Sequence, residues 1–244
     1  MDPSDERRFA GVSVPAPEFA GDDGGPDPAL DDVLAEHAAG RASVRDVAAA
    51  LQGTRLMTPL VAVLDEADQT AGGLQTEKSS HMASVSIVTP DGRRGLLAFT
   101  SVAAMATWDP SARGVPARAA KVATAALEES ADALVLDLGG PVRVAIDGAL
   151  LVAVALERGL PPAHEDLDVR AAVAQVLGAV VGLRAARLVA RGRGAGTDLQ
   201  VLVAAEPDAD LADVATRAAR GLVADPVVAA LCPGGVDVGE LVTD

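Results

Sequence analysis

Three histidines, one cysteine and a sparse set of basic side chains carry the reactive chemistry available in this sequence. His37, His81 and His164 stand far apart, and no His-Glu-x-x-His or Cys/His spacing is present to hold a metal. Ser79-Ser80-His81 sets hydroxyls beside an imidazole, but adjacency in sequence is not the geometry of a nucleophile and its base. Glu165, Asp166 and Asp168, following His164, read as a linker and a helix start, where acids suit the dipole. Cys232, before Pro233-Gly234-Gly235, reads as a small buried hydrophobe, and as the single cysteine it excludes an internal disulfide. The expectation is no catalytic residue, no metal ligand and no cofactor.

Binding chemistry is better represented. Lys78, Arg113, Arg118 and Lys121 gather positive charge on an acidic chain, suited to an anionic metabolite or an acidic partner segment, or else forming a solvated loop and helix face. The stretch LLAFTSVAAMATWDP, residues 96–110, holds Phe99 and the only tryptophan, Trp108. Both aromatics read as core anchors among small aliphatics; the sharper alternative makes Trp108 a partly exposed interface anchor beside Arg113, displayed on the DPSARGVP turn. The segment GRGAGT lacks the last glycine of a dinucleotide loop and precedes a strand, so a hairpin turn is expected there. Arg184, Arg187 and Arg191 before it and Arg193 within it form a basic cluster without aromatics to stack bases, which makes an RNA site a minor reading.

The elements that must position these residues follow from periodicity and punctuation. Residues 1–27 combine prolines, glycines and acids without apolar periodicity and predict a disordered acidic tail. Pro28 opens a helix that Gly40 stops, and Ser43 caps a second that ends at Gly53. TPLVAVLDE reads as a buried strand and MASVSIVTPDGRRGLLAFT as two strands around a Pro90-Asp91-Gly92 turn, with a polar loop over residues 67–81 between them. Thr100 or Ser101 caps a helix whose Val102 and Met105 share one side, and Asp109-Pro110 ends it. A further helix is expected over Pro116–Ser130, with Ala119, Val122, Ala123, Ala126 and Leu127 inward. ALVLDLGGPVRVAID is strand, turn, strand, and GALLVAVALERG a helix before the Pro161-Pro162 break. Beyond it, helix, two strands, helix and a short terminal strand make a second unit.

At 244 residues, half of them hydrophobic, the chain has apolar surface for one large or two small cores. Its net charge of -15 argues against non-specific nucleic-acid binding, because phosphates release counterions to Lys and Arg. Nine acids against two bases within residues 1–32 account for nearly half of that charge. The start MDPSDERRFA lacks the order of a signal peptide, and GALLVAVAL and AAVAQVLGAVVGL fall short of the roughly 18 apolar residues of a membrane span. A cytoplasmic protein with no membrane association is expected.

The run from Glu77 to Ile146 resembles the N-terminal domain of the SseB family, in the form common in actinobacteria. Glu77-Lys78-Ser79, Phe99-Thr100-Ser101, Trp108, Ala112-Arg113 and Leu136-Asp137 carry the resemblance, and the C-terminal half is similar, more loosely, to the family's smaller second domain. The resemblance implies an α+β fold of two small mixed-sheet domains, over residues 28–160 and 168–244. It supplies no catalytic residue; the family name denotes enhanced serine sensitivity, a phenotype. Three readings stand. One is a non-enzymatic protein-binding or regulatory module acting through the surface around Trp108 and Arg113. Another is a small-molecule sensor with a pocket between the domains for an amino acid or other small anion, where Lys78, Arg113 and Lys121 supply charge. The third and weakest, an enzyme using His81 or His164, gains only if one of these lies in a cleft beside a carboxylate or hydroxyl. The oligomeric state is not encoded in any of these features.

Overall fold

A computed structural model describes residues 18–64, 80–191 and 196–242. Helix α1 (Pro28–Ala38) begins where Asp27 accepts hydrogen bonds from the backbone of Ala29 and Leu30, and it buries Leu30 and Leu34. Helix α2 (Val44–Ala50) is closed by a reciprocal cap between Ser43 and Asp46. Strands β1 (Arg55–Leu64), β2 (Ser80–Ser84), β3 (Ser86–Val88) and β4 (Arg94–Ala98) follow, then helix α3 (Val102–Trp108), capped by Ser101. Strand β5 (Arg113–Arg118), helix α4 (Ala119–Glu128), strands β6 (Ala133–Leu136) and β7 (Val144–Asp147) and helix α5 (Gly148–Ala155) complete the first half. The second half runs α6 (Leu167–Gly178), β8 (Leu183–Val189), β9 (Leu199–Ala205), α7 (Leu211–Ala224), α8 (Pro226–Leu231) and β10 (Val236–Glu240).

The chain is α+β. Sheet orders are β2-β1-β5, β3-β4-β6-β7 and β10-β9-β8. Within them β4 runs parallel to β6 and β9 parallel to β10, and the remaining pairs are antiparallel. Backbone bonds between Met57 and Phe99 link the first two sheets. A large buried cluster joins α1, α2, α4 and α5 to the β4-β6-β7 strands, and a second surrounds Val201 and Val203 under α6, α7 and α8. The smaller cluster of Met57, Leu97, Phe99 and Met105 lies on the other face of β4.

Several expectations change. Residues 116–118 are not helical: Arg113–Arg118 pairs along β1, from Leu60 opposite Arg113 to Arg55 opposite Arg118. As an edge strand β5 tolerates Pro116, and the helix starts at Ala119, whose N–H bonds the Thr54 carbonyl. Leu127, placed on the apolar side of its helix by spacing, is 40% exposed, and Val102, grouped with the buried Met105, is 44% exposed. Helix α8, capped by Asp225, was not anticipated because its single turn and a half carries too little periodicity. Residues 1–17 lie outside the described residues, as does nearly all of the 67–81 loop. Residues 18–27, assigned by composition to the tail, lie against the body: Asp22 pairs with Arg55 at 2.6 Å, and the Gly24 carbonyl accepts from Val102 N–H.

Candidate functional site

Among the residues that carry the resemblance, Phe99, Thr100, Trp108 and Asp137 are framework, while Glu77, Lys78 and Ser79 lie outside the described residues. Thr100 donates its N–H and hydroxyl to the two oxygens of Asp137, at 2.9 and 2.8 Å, tying the end of β4 to the end of β6. Asp137 is buried with a left-handed backbone, φ 52°, and burial pushes its carboxyl above the ordinary range against the Thr100 bonds. Trp108 is half-buried, its ring 5.4 Å from that of Phe99, which has no exposed surface. A Cβ on Gly139, at φ +96°, would come within 3.3 Å of the Trp108 backbone, so the close approach requires glycine.

The expected basic spot is only partly assembled. Arg113 is exposed at the start of β5, whereas Arg118 and Lys121 face Glu18 of the acidic segment in cis. Those contacts are solvent-exposed and contribute little to stability. Lys78 and Arg193 lie outside the described residues, and so does the side chain of His81.

A different site appears at the seam of the two halves. A cavity of about 510 Å³ is lined by Arg45 and Asp46 of α2, by Pro161 and His164, and by Arg191 and Asp198 flanking the β8–β9 connection. Aliphatic residues, among them Val33, Ala49, Ala50 and Leu160, form much of its wall. Arg45 crosses the seam: Nη1 donates to the Leu231 carbonyl at 2.7 Å, and Nη2 to Asp166 at 2.7 Å and the Pro161 carbonyl at 2.9 Å. The Arg45 and Asp166 side chains are 4% and 3% exposed. Burial pushes the Asp166 carboxyl up, but the Arg45 guanidinium and the α6 backbone N–H groups outweigh it and hold the group below the usual carboxylate range. The Nε of Arg45 is buried without a hydrogen-bond partner among the described residues.

Beside this pair the Ser43 hydroxyl donates to Asp198, whose second oxygen accepts from Gly234 N–H at 2.6 Å. A Cβ on Gly234 would meet Asp198, Gly196 and Ser43 at 2.9 Å each, so no side chain fits between them. Burial raises the Asp198 carboxyl, against the bonds from Ser43 and Gly234 and with help from the Asp46 charge. Asp46 in turn pairs with Arg191. A group with a raised folded value contributes stability below its unfolded pKa and loses it as pH climbs through the folded one. Asp198→Asn, which keeps the shape without the charge, should therefore gain on the parent protein as pH rises from about 4 to about 7. Urea unfolding across that range checks this; a pH-independent difference would contradict it.

His164 lines the same cleft as Asp46 and Asp198. The contact it makes is with its neighbour Glu165 at 3.4 Å, and the nearby hydroxyl, Ser43, is committed to Asp198. Burial, with the Asp198 charge adding, pushes the Cys232 thiol up to about 12. Among the described residues no group of three His, Cys, Asp or Glu side chains is placed to hold a metal ion. Nor is any helix long and apolar enough to cross a membrane.

Sequence reasoning missed Arg45, Asp46 and Asp198. One signal was present: Arg45 falls three residues before Ala48 and six before Leu51, on the buried side of α2, where an unpaired guanidinium is not tolerated. Comparison with known proteins adds a family. The model described as SseB protein N-terminal domain matches residues 30–153, which is half of the chain. That span supplies Arg45 and Asp46 but stops short of His164, Arg191 and Asp198. No curated protein and no solved structure matches the chain.

Proposed function

The chain belongs to the SseB family, and on that premise we propose that it is a non-enzymatic, two-domain cytoplasmic sensor whose seam cavity receives a small organic ligand, an amino acid or other small anion. The observation that carries this reading is the cavity itself: its size falls within the range of ligand sites, and the reachable Asp46–Arg191 pair stands in a wall that is largely aliphatic. Binding there would touch α2 on one side and the β8–β9 connection on the other, so occupancy and the packing of the halves are linked. The committed Ser43 hydroxyl and the protonated Cys232 favour binding over chemistry.

Thermal unfolding of the full chain against amino acids, nucleotides and other anionic metabolites tests this. A ligand at about 100 times its Kd adds roughly 2.7 kcal/mol to the native state, a rise of several degrees in Tm. Ala190 lines the cavity and is exposed, so Ala190→Trp should obstruct the cavity without disturbing a core and abolish the shift. A flat screen, or a shift that survives Ala190→Trp, would refute the seam site.

A protein partner is the second reading, favoured by the half-buried Trp108 on a rigid Phe99 base with Arg113 exposed on β5. Loss of a recovered partner on Arg113→Glu, with Tm unchanged, would support it.

A further inference from the structure

We infer that the ligand of the seam cavity is a zwitterion with an aliphatic body, of the α-amino-acid class, its carboxylate taken by Arg191 and its ammonium by Asp46. This rests on the seam cavity being a ligand site.

The argument is one of charge compensation. Arg45 is already balanced by Asp166, and Arg191 by Asp46, while Asp198 adds a further acid. A purely anionic ligand entering here can take a partner only by drawing Arg191 away from Asp46, leaving that carboxylate uncompensated beside Asp198. A purely cationic ligand strands Arg191 in the same way. A zwitterion inserted between Arg191 and Asp46 replaces each partner with a group of the same sign, so both charges stay paired. The Asp46–Arg191 pair can be reached: its side chains are 31% and 25% exposed, unlike the buried Arg45–Asp166 pair.

Arg45 is held by its three acceptors and takes no part in this exchange. The aliphatic wall formed by Val33, Ala49, Ala50 and Leu160 then favours a branched hydrocarbon side chain over a hydroxylated or charged one.

Isothermal titration of the full chain with three probes of one skeleton tests the inference: L-leucine, 4-methylpentanoate, which lacks the ammonium, and 3-methylbutylamine, which lacks the carboxylate. L-leucine should bind at least about tenfold more tightly than either analogue. Asp46→Asn should remove most of that advantage over 4-methylpentanoate, and Ala190→Trp should remove L-leucine binding. Equal affinity for L-leucine and 4-methylpentanoate would overturn the zwitterion while leaving the cavity as a site. Silence from all three probes, with a metabolite other than an amino acid giving a Tm shift that Ala190→Trp abolishes, would do the same. Silence from these and from the whole metabolite screen would overturn both readings.

Discussion

Arg45→Ala is expected to destabilise the protein by about 3 kcal/mol, because removing one partner of a buried ion pair leaves the other with only the longer contact to the exposed Arg158, at 3.7 Å. Asp166 keeps its bonds from the backbone of Asp168 and Val169 but loses the buried Arg45 guanidinium, and the Leu231 and Pro161 carbonyls lose their donor across the seam. The effect should carry a pH signature. In the parent protein the folded Asp166 carboxyl lies below its unfolded value, so its contribution is present above the ordinary carboxylate pKa of about 3.9 and is lost as pH falls through the folded value. The deficit of Arg45→Ala should accordingly be largest near neutrality and shrink in acid. Urea unfolding at a series of pH values measures both. A deficit under about 1 kcal/mol, or one unchanged in acid, would show that Arg45 is no more than a surface-type pair.

The second large effect is expected at Phe99. Its ring is fully buried against Met57, Leu97 and Met105, so Phe99→Ala should cost about 3–5 kcal/mol through lost transfer energy and the cavity left behind. Trp108→Ala should cost less, since Trp108 is only partly buried and packs on the edge of the cluster, whereas Phe99 has no exposed surface. Chemical unfolding of both variants ranks them. A greater loss at Trp108 than at Phe99 would mean that Trp108 carries the cluster, which would also remove it as a site for partner binding.

Much of the local structure was legible from residues close in sequence. Pro28, Ser43, Ser101 and the Pro90-Asp91-Gly92 turn act within a few positions, and each sits where its chemistry predicts. The same locality misleads around Pro116: Ala119, Val122 and Ala126 continue helical spacing, and nothing nearby reveals that β1 is in position to pair with residues 113–118. Exposure of Val102 and Leu127 fails for a related reason, because periodicity defines a face but not whether another element covers it.

The residues offered for binding illustrate the limit most clearly. Arg118 and Lys121 looked available because their countercharge, Glu18, lies 100 and 103 positions away. Arg45 looked ordinary because Asp166 lies 121 positions away, and Asp198 because Ser43 lies 155 away.

The sequence by itself determined the α+β class, the resemblance to the SseB family, the helix caps and most strand positions, since caps, turns and periodic faces depend on neighbours within a turn or two of chain. Only the tertiary structure decided which polar groups share the seam, that Trp108 rests on Phe99, and that β5 is a strand. Those outcomes depend on segments that meet only after the chain returns on itself, where burial forces a charge such as Arg45 to find a partner.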